Sequence, residues 1–336
     1  MEKKKIEFLS IGDILVDAFI KLSDAHVQEN MKTQTKELCM RFGDKIPYDK
    51  VDVVKAVGNG PNASVSASRL GLTSASMSHV GNDDFGRECL ETLKENNVST
   101  DFVTIEEGKK TNYHYILSFQ AERTILIKHE DFTYNLAEQI KNLETPSWIY
   151  FTSVGEDSMQ YHSDIADWVQ ENNIKMAFQP GTYQISLGHE KLSDIYKASE
   201  VFFCNVQEAQ KITENKTTNV QELLSIVHSY GPKIVCITDG TDGAYVYDSY
   251  TEKTYYMPIY PDPAPPVERT GAGDSFSSAF TSFLAKGMSV SEALMRAPIN
   301  SMNVVQHVGA QKGLLSVEEI ETWLEKAPED YKIKEI

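Results

Sequence analysis

The sequence predicts an α/β fold: a mostly parallel sheet covered by helices on both faces. Two observations carry this expectation. From residue 147 onward, short apolar runs at 147–153, 174–178, 200–204, 233–238 and 244–248 read as strands, and they alternate with helical patterns. The helices are expected at 158–172, 206–213, 219–230, 274–286, 290–306 and 316–325. Strand–helix alternation of this kind implies crossover connections between parallel strands. Secondly, 336 residues of 41% hydrophobic composition are enough for one large α/β domain or two smaller ones.

The first half is less regular. Residues 6–16 read as a buried strand ending in a Gly12-Asp13 turn. Residues 18–57 are more polar, and Val51, Val53, Ala56 and Val57 suggest a strand leading into Gly58. Helical periodicity covers 62–70, and Gly71 closes it. A short strand at 74–80 ends at Gly81, and a helix at 84–96 puts Phe85, Cys89, Leu90 and Leu93 on one face. Aromatic and branched residues at 111–119 and 123–128 flank Gln120-Ala121-Glu122 and predict a hairpin. Five prolines in 258–267 predict an extended loop.

Net charge is −17, from 32 basic and 49 acidic residues. That balance argues against a nucleic-acid partner and against an anionic membrane surface. A polyphosphate ligand would have to be held by local N–H groups and a metal. Cys39, Cys89, Cys204 and Cys236 form no Cys-x-x-Cys and read as reduced thiols. The charged start Met1-Glu2-Lys3-Lys4-Lys5 precedes an apolar stretch broken by Asp13 and Asp17, which is no signal peptide. No apolar run is long enough to span a bilayer, and a cytoplasmic location is expected.

The chemistry concentrates at Glu268-Arg269-Thr270-Gly271-Ala272-Gly273-Asp274. A helical pattern starts directly after it, with Phe276, Ala279, Phe280, Phe283 and Leu284 on one face and Gly287 at the C-terminal cap. A glycine turn that opens a helix offers free N–H groups, which with the helix dipole suit a phosphate. Asp274 sits at the same end. A carboxylate beside such an anion site is suited to accept the proton of a hydroxyl that attacks the phosphate. Taken alone, the pattern equally fits a capped helix start without a ligand.

The stretch Thr270-Gly271-Ala272-Gly273-Asp274-Ser275-Phe276 resembles the C-terminal signature of the ribokinase/PfkB family of small-molecule kinases. Glu268 and Arg269 stand at the first two positions of the usual Asp-Thr-Thr. Gly58-Asn59-Gly60-Pro61-Asn62, Ser68-Arg69-Leu70-Gly71 and Val80-Gly81-Asn82-Asp83-Asp84-Phe85-Gly86 resemble the N-terminal signature. The resemblance covers nearly the whole chain. It implies a single ribokinase-like domain over residues 1–336, with a doubly wound, mostly parallel sheet, helices on both faces and a small β-sheet lid. The lid would come from about residues 18–55 and 111–128, and would exclude water from the transfer.

By the same resemblance, Asp274 is the general base, and the N–H groups of Gly271, Ala272 and Gly273 stabilise the transferring γ-phosphoryl. Asp17 matches the Asp that binds sugar hydroxyls in ribokinases, with Leu15 in place of their Asn. Gly58, Asn59 and Asn62 fall at substrate-facing positions, where two amides suit vicinal hydroxyls. Arg123, at the hairpin tip, is placed to touch the substrate.

On the nucleotide side, Asn205-Val206-Gln207-Glu208 resembles the family's Asn-x-x-Glu, and Glu208 would hold Mg²⁺ through water. The same spacing also reads as a capping box. Thr238, Gly240 and Gly243 match a turn bordering ATP, and Asn300 and Asn303 fall on the adenine-side wall. His307-Val308-Gly309-Ala310 resembles a turn that borders a monovalent cation. The implied cofactors are ATP, Mg²⁺ and that cation. The implied acceptor is a primary hydroxyl of a sugar, and the lids are expected to pair in a homodimer. Neither a Walker A lysine motif nor the protein-kinase signatures occur in the sequence.

Other readings stay open at this point. Gln179-Pro180-Gly181 departs from the Asp-Pro-Asn of fructokinases and ribokinases, which favours a nucleoside such as adenosine, with Tyr113, Tyr115 and Phe119 as stacking partners. Gly58-x-Gly60-x-x-Ala63 also fits a weak dinucleotide fingerprint of an NAD-binding oxidoreductase, but the acid this needs at the end of the next strand is poorly matched by Asp83, which lies beyond Gly81 in a loop. A non-catalytic sugar-binding relative would lack Asp274 or the Gly-Ala-Gly turn, and both are present.

Overall fold

Gly12 splits the first apolar run between two sheets. The computed structural model describes residues 5–32, 35–120, 122–156 and 158–336. The run at 6–16 is two strands and not one: β1 (Phe8–Ile11) ends, the chain turns at Gly12-Asp13, and β2 (Leu15–Leu22) enters a smaller sheet. A Cβ at Gly12 would lie 2.6 Å from Thr152 Cγ2 and 3.4 Å from Gly60 Cα, so the turn has room for glycine alone.

The hairpin β3 (His26–Asn30) and β4 (Thr35–Cys39) follows, and β5 (Tyr48–Val57) returns antiparallel to β2. Next come α1 (Asn59–Arg69), β6 (Ser74–Gly81), α2 (Asp84–Glu95) and β7 (Ser99–Glu106). The predicted hairpin is β8 (Asn112–Phe119) and β9 (Glu122–Leu126); Ala121 at its tip, like Met1 to Lys4, lies outside the described residues. After α3 (Leu136–Gln139) the expected alternation begins. It runs β10 (Trp148–Phe151), α4 (Met159–Glu171), β11 (Lys175–Phe178), α5 (Thr182–Leu187), α6 (Ser193–Ala198) and β12 (Val201–Asn205). It continues with α7 (Val206–Ile212), α8 (Val220–Ser229), β13 (Ile234–Thr238), β14 (Ala244–Asp248) and β15 (Lys253–Met257). The chain closes with α9 (Ala272–Ala285), α10 (Val290–Val304), α11 (Val317–Glu325) and β16 (Lys334–Glu335).

The main sheet has the order β16-β15-β14-β13-β12-β11-β10-β1-β6-β7. It is parallel from β7 to β13 and antiparallel beyond. Its central strands are buried on both faces, which is why β10 reads as an unbroken apolar run and β1 is interrupted only by the buried Ser10. On one face Leu9, Phe151, Phe178 and Phe202 pack against α4, α6, α7 and α8. On the other, Phe8, Tyr150 and Phe203 meet α1, α9 and α10 through Ala63, Phe280 and Ala297.

The small sheet has the order β5-β2-β8-β9, with β2 and β8 parallel. Successive strands of the main sheet run outward in both directions from β1 and β10. That reversal opens a crevice at their carboxyl ends, where α/β sheets bind ligands. The four cysteines are free, and no helix among the described residues is long and apolar enough to cross a membrane.

Candidate active site

The start of α9 is built around one left-handed residue. Gly271 caps the helix at φ 80°, and a Cβ there would lie 2.6 Å from Ala310 Cα. Two hydroxyls fix the first turn by donating to the Ala272 carbonyl, Ser301 Oγ at 2.8 Å and Ser275 Oγ at 2.9 Å. Ser275 N–H closes onto the Gly271 carbonyl at 2.8 Å. Ala272 N–H makes a weak 3.4 Å contact with the Arg269 carbonyl, while among the described residues Gly273 and Asp274 find no backbone acceptor in the preceding turn. Gly273 is exposed, with open space where a Cβ would stand.

Asp274 lies in this first turn and is held by three amides. Asn59 Nδ2 donates to Oδ1 at 2.8 Å, Asn62 Nδ2 to Oδ2 at 2.8 Å, and Gln179 Nε2 to Oδ1 at 3.1 Å. A second layer orients the amides. Asn62 Oδ1 accepts from Gln311 Nε2 at 3.0 Å. Gln179 Oε1 accepts from Ser277 Oγ at 2.6 Å and from the Tyr150 hydroxyl, which fixes its NH₂ toward Asp274. Burial raises the Asp274 carboxyl above the ordinary range, and the three amides oppose that rise without cancelling it. An ordinary, unshifted carboxylate would have served as base. The structure instead gives one that is easier to protonate.

A second group of polar residues belongs to the small sheet and to the segment before α9. Burial pushes the Asp17 carboxyl up to about 7, with Glu268 adding repulsion. His114, on the neighbouring strand, places Nδ1 3.8 Å from Asp17 Oδ1, and burial lowers its imidazole to about 4. Glu268 accepts from Gly309 N–H at 2.7 Å, tying the segment before α9 to the turn at 307–310. Arg123 is exposed on β9 and acts on Glu268 electrostatically. Gly58, at φ 114°, packs over the Asp13 carbonyl and so joins the β1 turn to the Asn59 helix start.

The nucleotide-side positions gather at the ends of β12 and β13. Asn205 and Glu208 form a reciprocal capping box, with both hydrogen bonds at 2.9 Å. Glu208 is pushed up by burial, with a further contribution from Asp274, which puts the two carboxylates within electrostatic reach. Thr238 pairs with Asn205 across the strands and leads into the turn at Gly240 and Gly243. The backbone at Gly240 is open to solvent, while Gly243 packs on the Met257 carbonyl.

Several sequence expectations change here. Asn300 has no exposed surface; it donates to the Ser275 carbonyl at 3.2 Å and accepts from Leu315 N–H at 3.0 Å. It ties α9 to α10 and cannot face a nucleotide. Asn303 is half-buried and donates to the Gly313 carbonyl at 2.7 Å. Tyr113, Tyr115 and Phe119 alternate with His114 along β8, which places them on the face away from Asp17, where Tyr113 meets Phe85 at 4.9 Å. They cannot stack over an acceptor beside Asp17. The Gly58-to-Ala63 turn follows β5 of the small sheet and not a parallel strand of the main sheet, which removes the dinucleotide reading; Asp83 instead caps α2. Gln179, Gln311 and Asp13 carry no role that the sequence alone reveals, although Gln179 stands at a visible departure from the family pattern.

A family model described as pfkB family carbohydrate kinase matches residues 34–316. A ribokinase of Mus musculus is 28% identical over 264 residues, covering 76% of this chain and 79% of the relative. An ATP-dependent 6-phosphofructokinase of Thermoanaerobacterium thermosaccharolyticum is 24% identical, covering 96% and 94%. The solved structure of Arabidopsis thaliana ribokinase complexed with ribose and ATP superposes with a TM-score of 0.79 at 17% identity, covering 96% of this chain and 99% of that one.

Removing the Gln179 donor should raise the Asp274 pKa further, because that donor stabilises the charged form. In Gln179→Leu, carbon-detected NMR titration of the Asp274 carboxyl should show a midpoint above that of the wild type. A midpoint unchanged or lower would contradict the cage.

Proposed function

The chain belongs to the pfkB family of carbohydrate kinases and is a phosphotransferase with an alcohol group as acceptor, and from that premise we propose that it transfers the γ-phosphoryl of ATP to a primary hydroxyl of a sugar with Asp274 as general base. The observation that carries the reading is the position of Asp274, in the first turn of α9 and clasped by Asn59, Asn62 and Gln179. The acceptor oxygen attacks the γ-phosphorus, the bond to ADP breaks, and the hydroxyl proton passes to Asp274. The open N–H groups at the start of α9 stabilise the phosphoryl in flight, with Gly273 the best placed of the predicted Gly271-to-Gly273 set. Asn59 and Asn62 act as positioning residues for the base, and Asp17 addresses the acceptor.

ATP binding is supported by the Arabidopsis complex of the same fold. Thr238, Gly240 and Gly243 border the nucleotide in this reading. Glu208 is the residue that would hold Mg²⁺, through water, because its half-buried carboxylate shares its surroundings with Asp274 and keeps Oε1 free of the capping box. Mg²⁺ supplies neutralisation of the phosphate charge. The half-buried Glu268 beside Gly309 supports a monovalent-cation role for the turn at 307–310. The small sheet acts as the lid. A nucleoside acceptor remains the second reading, favoured by Gln179-Pro180-Gly181 alone.

The lid face turned away from Asp17 exposes Val51, Val53, Tyr115 and Leu126. A second copy of the chain covers this face, lid against lid. Light scattering after size exclusion should give a dimer mass for the wild type and a monomer for the double variant Val53→Glu, Tyr115→Lys; a monomeric wild type at micromolar concentration sinks the pairing.

The reaction is tested by ADP release. Asp274→Asn should lower kcat by about 10²–10⁴-fold, with ATP affinity little changed. Because the Asp274 pKa is raised and the base must be unprotonated, wild-type kcat should decline as pH falls through that raised value. Near-normal turnover in Asp274→Asn would remove it from the mechanism.

A further inference from the structure

We propose that the outer face of the small sheet carries a second ligand site, between Tyr113 and the start of α2, that takes a nucleoside monophosphate. The site lies on the side of β8 turned away from Asp17, and it does not depend on which residue is the base of the transfer.

The surface there is concave. A cavity of about 450 Å³ is lined by Phe85 of α2, by Tyr113 and Tyr115 of β8, and by Lys110 and Lys128, which flank the β8–β9 hairpin. That volume falls within the range of sites that hold small molecules. The three rings form one ladder, with centroids 4.9 Å apart from Phe85 to Tyr113 and 5.0 Å from Tyr113 to Tyr115. Phe85 is 39% exposed and Tyr115 46%. Rings left in water around a cavity offer the flat apolar surface on which a base stacks.

Charge selects the rest of the ligand. Asp83, Asp84 and Glu130 also line the cavity, but the protein already engages each of them. Asp83 accepts from Gly86 N–H at 2.9 Å, from Thr111 N–H at 3.1 Å and from the Thr111 hydroxyl at 2.7 Å. Asp84 pairs with Arg87 at 2.6 Å. Glu130 accepts from Lys110 N–H at 3.4 Å and faces Lys109 Nζ at 4.0 Å.

Lys110 and Lys128 are left over. Both are exposed, and among the described residues neither ammonium has a carboxylate within ion-pair distance; Lys110 acts on Asp83 through space alone. On a chain of net charge −17, two unpaired ammonium groups beside stacked rings reverse the local sign. They suit a phosphate monoester, which carries about −1.5 to −2 charges at neutral pH. They also repel the cation that an aromatic cluster would otherwise attract. A base for the rings and a phosphate for the lysines together define a nucleoside monophosphate.

The test is photolabelling of the full-length protein with 8-azido-AMP, followed by peptide mapping. Label should appear on Tyr113, Tyr115 or Phe85. Unlabelled AMP should suppress it, while adenosine and inorganic phosphate at the same concentration leave it in place. The double variant Lys110→Ala, Lys128→Ala and the single variant Tyr113→Ala should each lower labelling at these rings by about 10-fold, the scale of one base–aromatic stack. Kinase activity measured without AMP should stay unchanged in both. Tyr115 is left intact, because it also borders the face assigned to lid pairing. Should Tyr113→Ala fold poorly, the lysine pair, at exposed positions, carries the test alone. Label confined to the nucleotide-side turn at 238–243 would overturn the site. Undiminished labelling of the rings in a folded variant would do the same, as would suppression by adenosine or by inorganic phosphate as strong as that by AMP.

Discussion

A carboxylate held in the first turn of a helix is the constraint on which the rest of this structure depends. Asp274 sits where the N–H groups of α9 favour negative charge, yet protein packing withdraws much of its water. Three amides replace that water, each hydrogen bond to a charged group worth about 1.5–3 kcal/mol. They come from two places in the chain, the start of α1 and the end of β11. The turn before α9 must therefore be in register with both. Gly271, pressed on Ala310, and the paired serines on the Ala272 carbonyl supply that register.

The topology explains why these groups meet. Gly12-Asp13 and Gln179 directly follow parallel strands, and Asn205 and Thr238 end them, so the carboxyl ends of the strands collect residues far apart in sequence. The small sheet brings Asp17 and His114 in from the side. Two polar groups result: Glu208 and Asp274, within electrostatic reach of each other near the end of β12 and the start of α9, and Asp17, His114 and Glu268 at the small sheet. The capping box at Asn205 and Glu208 occupies one Glu208 oxygen and leaves the other free while the residue caps α7.

Much of this was legible in the sequence. Runs such as Trp148-Ile149-Tyr150-Phe151, followed by amphipathic stretches, mark buried parallel strands and their crossovers, and the start of α9 carries glycine chemistry that local physics can interpret. The misses have physical causes. The run at 6–16 looks continuous because both of its strands are buried, though in different sheets. Strands β7 and β15 mix polar and apolar residues at the sheet margins and carry no clear period. Asn300 resembles a binding residue by type, but only packing reveals that it is sealed between α9 and α10. The faces of β8 needed the register with β2 before Tyr113 and Tyr115 could be set apart from His114. Gln179 joins Asp274 across 95 residues of separation, a contact that no local pattern encodes.

The most direct measurement is a crystal structure with MgADP, an aluminium fluoride mimic of the phosphoryl group and a turned-over acceptor. The mimic should rest on the N–H groups at the start of α9, with the acceptor oxygen within hydrogen-bond distance of an Asp274 carboxylate oxygen. A mimic seated away from that helix, or an acceptor hydroxyl turned from Asp274, would contradict the account.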